Sequence, residues 1–410
     1  MAGPCRSESL AMTMPAQPRA ADTTVYPIIA AIAVCHMLND LMQSLIPAIY
    51  PLLKDNLALS FSQIGLITLV FQGIASILQP LVGLYTDRHP LPYALASAMA
   101  FTLAGLVLLA HADSFPLVLV SVALIGLGSS IFHPESSRIA RLAAGMRPGF
   151  AQSVFQVGGN AGSSLGPLAA AFIVLPRGQE SIEWIAGVAL LGMVILTLVG
   201  RWFVQEGAMR AKAGRARAAA QMALPAGRVT LAIAVLVALM FSKFVYMTSF
   251  SSYYTFYLIE RFGVGVGQSQ ILLFVFLAAV AVGTIIGGPI GDRIGRKRVI
   301  WLSILGVLPL SLLLPHLGLE ATVVVSALAG MMLASAFPAI IVYAQDLMPR
   351  HTGSVAGLFF GLAFGMGAIG AAALGAIADR QGIVHVYQIC AWLPLLGMLA
   401  VFLPNLRTAR

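Results

Sequence analysis

Gly288-Pro289-Ile290-Gly291-Asp292-Arg293-Ile294-Gly295-Arg296-Lys297-Arg298 stands between two long apolar stretches, and Gly83-Leu84-Tyr85-Thr86-Asp87-Arg88 repeats its opening spacing earlier in the chain. Asp87 and Asp292 are 205 residues apart, half of the 410-residue chain. Ser121 and Phe132 recur as Ser326 and Phe337 at the same offset, and Gly149 and Gly166 recur as Gly353 and Gly370 one residue off it. A charge-dense, glycine-spaced loop repeated at half-length between apolar segments indicates a duplicated membrane bundle.

Composition agrees with that. The chain is 59% hydrophobic and 10% charged, against about 25% charged in soluble domains. A bilayer core takes about 20 apolar residues per helix. Charge clusters and Pro/Gly breaks delimit twelve such segments: 25–53, 61–85, 91–111, 115–143, 150–175, 182–204, 229–259, 268–290, 299–315, 321–347, 352–377 and 386–404. The reading is an all-α membrane protein with twelve transmembrane helices in two pseudo-symmetric six-helix bundles, 25–204 and 229–410, flanking a linker at 205–228. A transmembrane β-barrel needs short alternating strands, and these segments are long and rich in Gly and Ala.

The net charge of +9 does not indicate nucleic acid, because the basic residues fall in short loops. With Arg138 and Lys243 placed inside the membrane, 18 of the other 22 Lys/Arg lie in the tails and even-to-odd loops; Lys54, Arg177, Arg261 and Arg380 lie opposite. The positive-inside rule then puts both termini in the cytoplasm. Residues 1–24 lack an apolar core and read as a disordered tail rather than a cleavable signal. Cys5, Cys35 and Cys390 offer no loop pair for a disulfide. The linker, with Arg210, Lys212, Arg215 and Arg217, reads as a solvated basic loop in preference to a helix lying on an anionic leaflet.

Gly288-x-x-x-Asp292-Arg293-x-Gly295-Arg296-Lys297 resembles the signature loop of the major facilitator superfamily. His36-Met37-Leu38-Asn39-Asp40, Phe132-His133-Pro134-Glu135-Ser136-Ser137-Arg138, Phe155-Gln156-Val157-Gly158-Gly159-Asn160, Phe241-Ser242-Lys243-Phe244, Ser251 to Tyr257 and Tyr343-Ala344-Gln345-Asp346 resemble its fosmidomycin-resistance transporters. The resemblance spans about residues 25–405 and implies a multi-pass exporter of fosmidomycin-like compounds in a bacterial inner membrane, driven by proton entry. Two departures stand out. The first-half loop continues as His89-Pro90 in place of glycine and basic residues, which removes the partners of a symmetric latch. Val122 occupies the helix-four position where many proton-coupled drug exporters carry arginine.

Ionisable groups inside a bilayer cost about 2.5–3.5 kcal/mol each on insertion scales and so are functional candidates. His36, Asp40 and Gln43 share one face of the first helix, with Asn39 beside them. Asp40 is the first choice for the proton-coupling group and His36 for its modulator, against a reading in which Asp40 and Asn39 only tie helices together. His133 and Glu135 are further proton-coupling candidates on helix four. Glu135 and Arg138, three residues apart, are either a structural pair or a switch in which protonation of Glu135 frees Arg138 for an anion.

Lys243, less the repeat offset, falls within His36 to Asp40, so Lys243 and Asp40 should face one cavity, as a fixed ion pair or as parts of a gate. Tyr246, Tyr253 and Tyr257 form a seam, with Tyr254 adjacent, and line the substrate or anchor at the interface. Gln152, Gln156 and Asn160, and likewise Gln72, Ser76 and Gln79, are ladders suited to a wet cavity or to helix–helix hydrogen bonding. The glycines of helices five and eleven serve fixed packing or a sliding interface. In the signature loop, Gly288 and Gly295 permit close approach, Asp292 faces a helix N-terminus, and Arg293, Arg296 and Lys297 pair with carboxylates across the bundle boundary; Asp87 and Arg88 are the weaker copy.

The function expected is proton antiport of anionic or zwitterionic small molecules by alternating access, in a monomer needing no cofactor or metal beyond the proton gradient. The alternative is an importer or exchanger of a natural organic anion with incidental drug export. A sensor would need an output domain larger than the tail or linker, and no catalytic constellation appears at workable spacing.

Overall fold

The computed structural model describes residues 23–59, 61–213 and 225–406. Among the described residues the fold is all-α, and its helices are consistent with twelve segments in two six-helix bundles. In the first bundle these are α1 (Tyr26–Ala48, prolonged by Tyr50–Leu57), α2 (Phe61–Arg88), α3 (Ala94–Ala110), α4 (Phe115–Ala143), α5 (Pro148–Ala169) and α6 (Ile182–Trp202). In the second they are α7 (Ala226–Phe262), α8 (Val266–Ile294), α9 (Arg296–Leu305, then Leu308–Leu313), α10 (Leu319–Ala334, then Ala336–Leu347), α11 (Thr352–Gln381) and α12 (Ile383–Cys390, then a 3-10 stretch Leu393–Phe402). Among the described residues, nine helical stretches are long and apolar enough to cross a membrane, and Ala94–Ala110 and Thr352–Gly367 are shorter apolar helices.

The breaks follow from proline chemistry. A proline ring collides with the carbonyl four residues back, and the helical pieces that end at Leu305, Ala334 and Cys390 each stop four residues before Pro309, Pro338 and Pro394. Those interruptions fall in α9, α10 and α12 of the second bundle.

The bundles meet along α2 with α11 and α5 with α8. Glycines set the approach: a Cβ on Gly83 would collide with the Gly353 carbonyl, one on Gly288 with the Gly149 carbonyl, and one on Gly357 with the Gln79 carbonyl. The first two are pseudo-symmetric copies of one contact, since Gly83 and Gly288, like Gly149 and Gly353, are repeat partners. The glycines of α5 divide differently. Gly158 and Gly162 press on the backbones of Ala33 and Met37 inside the first bundle, so that stripe is fixed packing, whereas Gly357 and Gly361 of α11 abut Gln79 and Ser76 across the bundle boundary.

One end of the molecule carries Arg88, Arg141, Arg147, Arg201 and Arg293 to Arg298 and is called the basic end below. The expected solvated linker is corrected over its first part. The helix runs on past Trp202 to Ala213, and Arg210 is buried, donating to the Thr23 carbonyl (2.9 Å) and the Thr23 hydroxyl (3.2 Å). A guanidinium with that many fixed acceptors folds against the protein rather than into water. Thr24 and Val25 in turn bond the Ala144 and Ala143 carbonyls, which staples the start of α1 to the end of α4. The tail of residues 1–22 and the linker residues 214–224, with Arg215 and Arg217, lie outside the described residues.

Candidate functional site

Three ionisable side chains of α1 and α4 converge, the two histidines buried and Asp40 half-buried. Asp40 lies between His36 Nε2 at 3.4 Å and His133 Nε2 at 3.5 Å. The δ-nitrogens define the tautomers. His36 Nδ1 faces the Phe155 carbonyl at 2.7 Å and His133 Nδ1 faces the Ser129 carbonyl at 3.0 Å. A carbonyl only accepts, so each Nδ1 carries the proton and each Nε2 is left to meet the carboxylate. Neither Nε2 has a hydrogen-bond partner of its own. Asn39 donates to Asp40 Oδ1 at 3.1 Å, and Ser129 Oγ donates to Gln43 Oε1 at 3.0 Å, so both polar neighbours on α1 brace the cluster. The three ligand-type atoms lie within 4.8 Å of one another, a spacing that protons bridge and a divalent ion would also fit.

A stack of rings surrounds the cluster. His36 stacks on Phe155 (centroids 4.0 Å apart), and His133 meets Phe360 (5.4 Å) and Phe364 (5.6 Å) of α11. Phe360 continues edge-on to Phe337 of α10 at 5.3 Å. Phe337 in turn lies under Lys243, whose Nζ is 4.7 Å from its centroid and 4.5 Å from that of Phe244. The expected pairing of Lys243 with Asp40 is not formed: Asp40 accepts from Asn39 and faces the two imidazoles, and Lys243 rests on aromatic faces. Lys243 is 5% exposed and makes no ion pair among the described residues.

Glu135 and Arg138 do pair. The contact is bidentate, through Nε at 3.1 Å and 3.2 Å and a short Nη2 bond to Oε2, and the guanidinium also lies 5.1 Å from the Phe203 centroid. Both are buried, so the pair is closed to an incoming anion in this conformation. Gln72, Gln156 and Asn160 are half-buried, and Asn160 reaches Thr284 of α8 at 3.4 Å across the boundary.

The tyrosine seam is corrected. Tyr246, Tyr254 and Tyr257 are 3%, 0% and 0% exposed, inside the second bundle. Tyr246 meets Phe250, Tyr254 bonds Ser326 Oγ at 2.8 Å, and Tyr257 stacks on Tyr387 at 4.1 Å. Their shared helical face is turned to α8, α10 and α12, so the pattern records core packing; Tyr253, on the neighbouring face, is half-buried.

The basic end is locked by two equivalent carboxylates. Asp292 accepts from the Gly149 and Phe150 amides at 3.1 Å each, at the start of α5. Asp87 accepts from the Gly353 amide (2.9 Å), the Ser354 amide (2.8 Å) and Ser354 Oγ (2.7 Å), at the start of α11. This overturns the expectation that the first-half loop has lost its partners: the partners are backbone amides at a helix N-terminus and do not require the absent glycine and basic residues.

The roles of the basic residues also differ from expectation. Arg141 of α4 and Arg296 both bond Asp346 of α10, through short contacts, so Asp346 carries the ion pair that joins the bundles. Arg296 also lies 3.5 Å from Asp292. Lys297 donates to the Val401 carbonyl at 3.0 Å and to that of Leu403, within its own bundle, while Arg88 and Arg293 are exposed. Gly295, at φ +96°, supplies the left-handed turn between α8 and α9. Behind this layer Ser137 donates to Gln152 at 3.1 Å and accepts from Gln345 at 3.2 Å, linking α4, α5 and α10.

Sequence reasoning missed Asp346 as a bridge and Phe155, Phe337 and Phe360 as a ring stack. Asp346, an acidic residue at the end of an apolar segment, was the only signal of the first, and nothing in a single apolar residue signals the second.

Comparison with known proteins places this geometry. The Major Facilitator Superfamily model matches residues 32–371 and again 235–410. The fosmidomycin resistance protein of Escherichia coli (strain K12) is 56% identical over 384 residues, 94% of each chain. The uncharacterized MFS-type transporter YfnC of Bacillus subtilis (strain 168) is 43% identical, over 93% of this chain and 94% of its own. Among solved structures, the E. coli fucose:proton symporter FucP, also solved in the outward conformation, superposes with a TM-score of 0.71 at 16% identity, covering 92% of this chain and 98–99% of its own. The proton:xylose symporter XylE gives 0.67 at 15% identity, covering 92% and 94%.

Proposed function

The chain belongs to the Major Facilitator Superfamily, beside the fosmidomycin resistance protein, and we propose that this transporter exports fosmidomycin-like phosphonates and related small anions by proton antiport through alternating access. We place it in a bacterial inner membrane with the basic end and both termini cytoplasmic. In that orientation the locked layer at Asp87, Asp292 and Asp346 makes this the outward-facing state.

The observation that carries the reading is the His36–Asp40–His133 cluster. With both δ-nitrogens committed to carbonyls, the space between Nε2 and the carboxylate is where a proton binds: carried on the Asp40 carboxyl, it is donated to an imidazole Nε2 lone pair. Loading that proton neutralises the cluster's charge, and losing it restores an anion at the centre of the first bundle. His36 and His133 hold the proton in place and Asp40 is the group whose charge changes.

Lys243 is the anion partner that the energetics favour. Its resting contacts are cation–π, worth about 2 kcal/mol or more when desolvated, and a phosphonate offers several charge-assisted hydrogen bonds of about 1.5–3 kcal/mol each. Taking Arg138 instead would strand buried Glu135, at a cost of about 3–5 kcal/mol. Arg138 and Glu135 therefore act as a switch only if Glu135 is protonated first. Gln72, Gln156, Asn160 and Tyr253, all half-buried, supply neutral contacts.

Proteoliposomes with an imposed pH difference test the reading. Export should accelerate with acid on the receiving side, and Asp40→Asn should abolish that acceleration while leaving substrate counterflow. Gradient-driven export that persists in Asp40→Asn removes Asp40 from the role.

A further inference from the structure

Aromatic rings from α5, α10 and α11 meet against the His36–Asp40–His133 cluster. Phe360 lies seven residues beyond Gly353 and His133 eight residues before Arg141, which puts both about 11–12 Å inward of the locked layer at 1.5 Å per residue. On the basic side of that depth, Gln152 Nε2, Gln345 Oε1 and Ser136 Oγ are buried without hydrogen-bond partners. Polar atoms in that condition draw in water whenever the latch loosens. On the inner side lie the His36 and His133 Nε2 atoms, also unpartnered.

Between them, Phe155 of α5, Phe337 of α10 and Phe360 of α11 meet edge to face, Phe360 being 6.0 Å from Phe155 and 5.3 Å from Phe337. All three are at most 3% exposed. Phe155 comes from the first bundle and the other two from the second, so the plate forms only while the bundles are closed at this end. Asp40, by contrast, retains 14% side-chain exposure, and Phe364 on the inner side of His133 is 41% exposed.

We propose that Phe360, held by Phe155 and Phe337, is the barrier that keeps basic-end water from the His36–Asp40–His133 cluster, so that in this conformation protons reach the cluster from the opposite side only. The inference rests on the proton reading above. The charged and titratable groups facing the cluster are Asp40 and His36 from α1 and His133 from α4; Glu135 and Arg138 lie further along α4, toward the basic end. From α5 and α11 come only Phe155, Gly159, Phe360 and Phe364. When the bundles part at the basic end, Phe360 withdraws with α11 and the cluster is opened to that side. Phe360 is thus a positioning residue: it touches neither substrate nor proton and determines from which side the proton arrives.

The experiment is a proton-leak assay. Purified protein in liposomes with a trapped pH-sensitive dye receives an imposed pH gradient without substrate, and gradient-driven fosmidomycin transport is measured in parallel. Wild type should hold the gradient and couple to it. Phe360→Ala should dissipate it roughly tenfold faster, the effect of lowering one barrier by about 1.4 kcal/mol, while fosmidomycin binding is retained. Phe360→Leu, which keeps apolar bulk, should stay tight, and Asp40→Asn placed on Phe360→Ala should stop the leak, because the path runs through the cluster. If Phe360→Ala does not fold, Phe337→Ala removes the neighbouring ring and should leak in the same Asp40-dependent way.

A coupled wild type with a tight Phe360→Ala overturns the barrier, as does a leak that ignores Asp40→Asn. A wild type that does not couple to protons at all overturns the proton reading itself.

Discussion

A carboxylate held between two imidazoles and a lysine buried on two phenyl rings answer different needs. Asp40 has three polar neighbours within 3.5 Å, the Asn39 amide and the His36 and His133 Nε2 atoms. Lys243 has rings and no counter-ion among the described residues. Lys243→Gln should weaken binding of anionic substrates at least tenfold, about 1.4 kcal/mol, in line with a hydrogen bond to a charged group, and leave uncharged analogues unaffected; equilibrium binding in detergent reads this directly. Arg138→Gln should behave otherwise. It leaves Glu135 buried without its cation, so the loss should appear as a fall in thermal stability of about 3–5 kcal/mol, largely restored in the Glu135→Gln/Arg138→Gln double variant.

At the scale of elements, two helix N-termini are capped from the opposite bundle. Asp87 caps α11 and Asp292 caps α5, each through consecutive amides. A carboxylate at a helix N-terminus is favoured by the unpaired amides and the helix dipole alike, and is worth about 1 kcal/mol. Asp87→Asn and Asp292→Asn should therefore loosen the basic end by similar amounts, roughly a fivefold shift in population per 1 kcal/mol. A cysteine at Ser137, fully buried behind the latch, should label correspondingly faster in each variant. A large effect of Asp292→Asn with none of Asp87→Asn would return the latch to the asymmetric form that the sequence suggests.

Across the whole molecule, Arg141–Asp346 is the ion pair that ties the bundles together among the described residues, with Arg296 on the other oxygen. Its side chains keep 26%, 18% and 12% exposure, so water replaces the bond readily and each pair contributes modestly. Asp346→Asn should open the basic end more than Arg141→Gln, since it leaves two guanidinium groups facing one another. Spin labels at Met146 and Arg298, both exposed and one in each bundle, should report a larger long-distance fraction in Asp346→Asn than in Arg141→Gln.

The twelve segments, the duplication and the glycine-spaced loops were legible because apolar length, positive loops and repeat spacing are one-dimensional properties of a chain in a bilayer. His36 and Asp40 were legible for the same reason: helical spacing alone places them on one face. That His133 joins them from α4, that Lys243 rests on Phe244 and Phe337 instead of Asp40, and that Tyr246, Tyr254 and Tyr257 turn into the core depended on how the helices are rotated about their axes. Rotation is decided by packing between elements far apart in the chain, and an apolar helix in lipid carries no polar face to record it. By itself the sequence determined a two-bundle transporter with a few costly buried charges. Only the tertiary structure decided which of those charges meet across helices, because Coulombic and aromatic contacts act over a few ångströms while Asp40 and His133 lie 93 positions apart and Arg141 and Asp346 lie 205 apart.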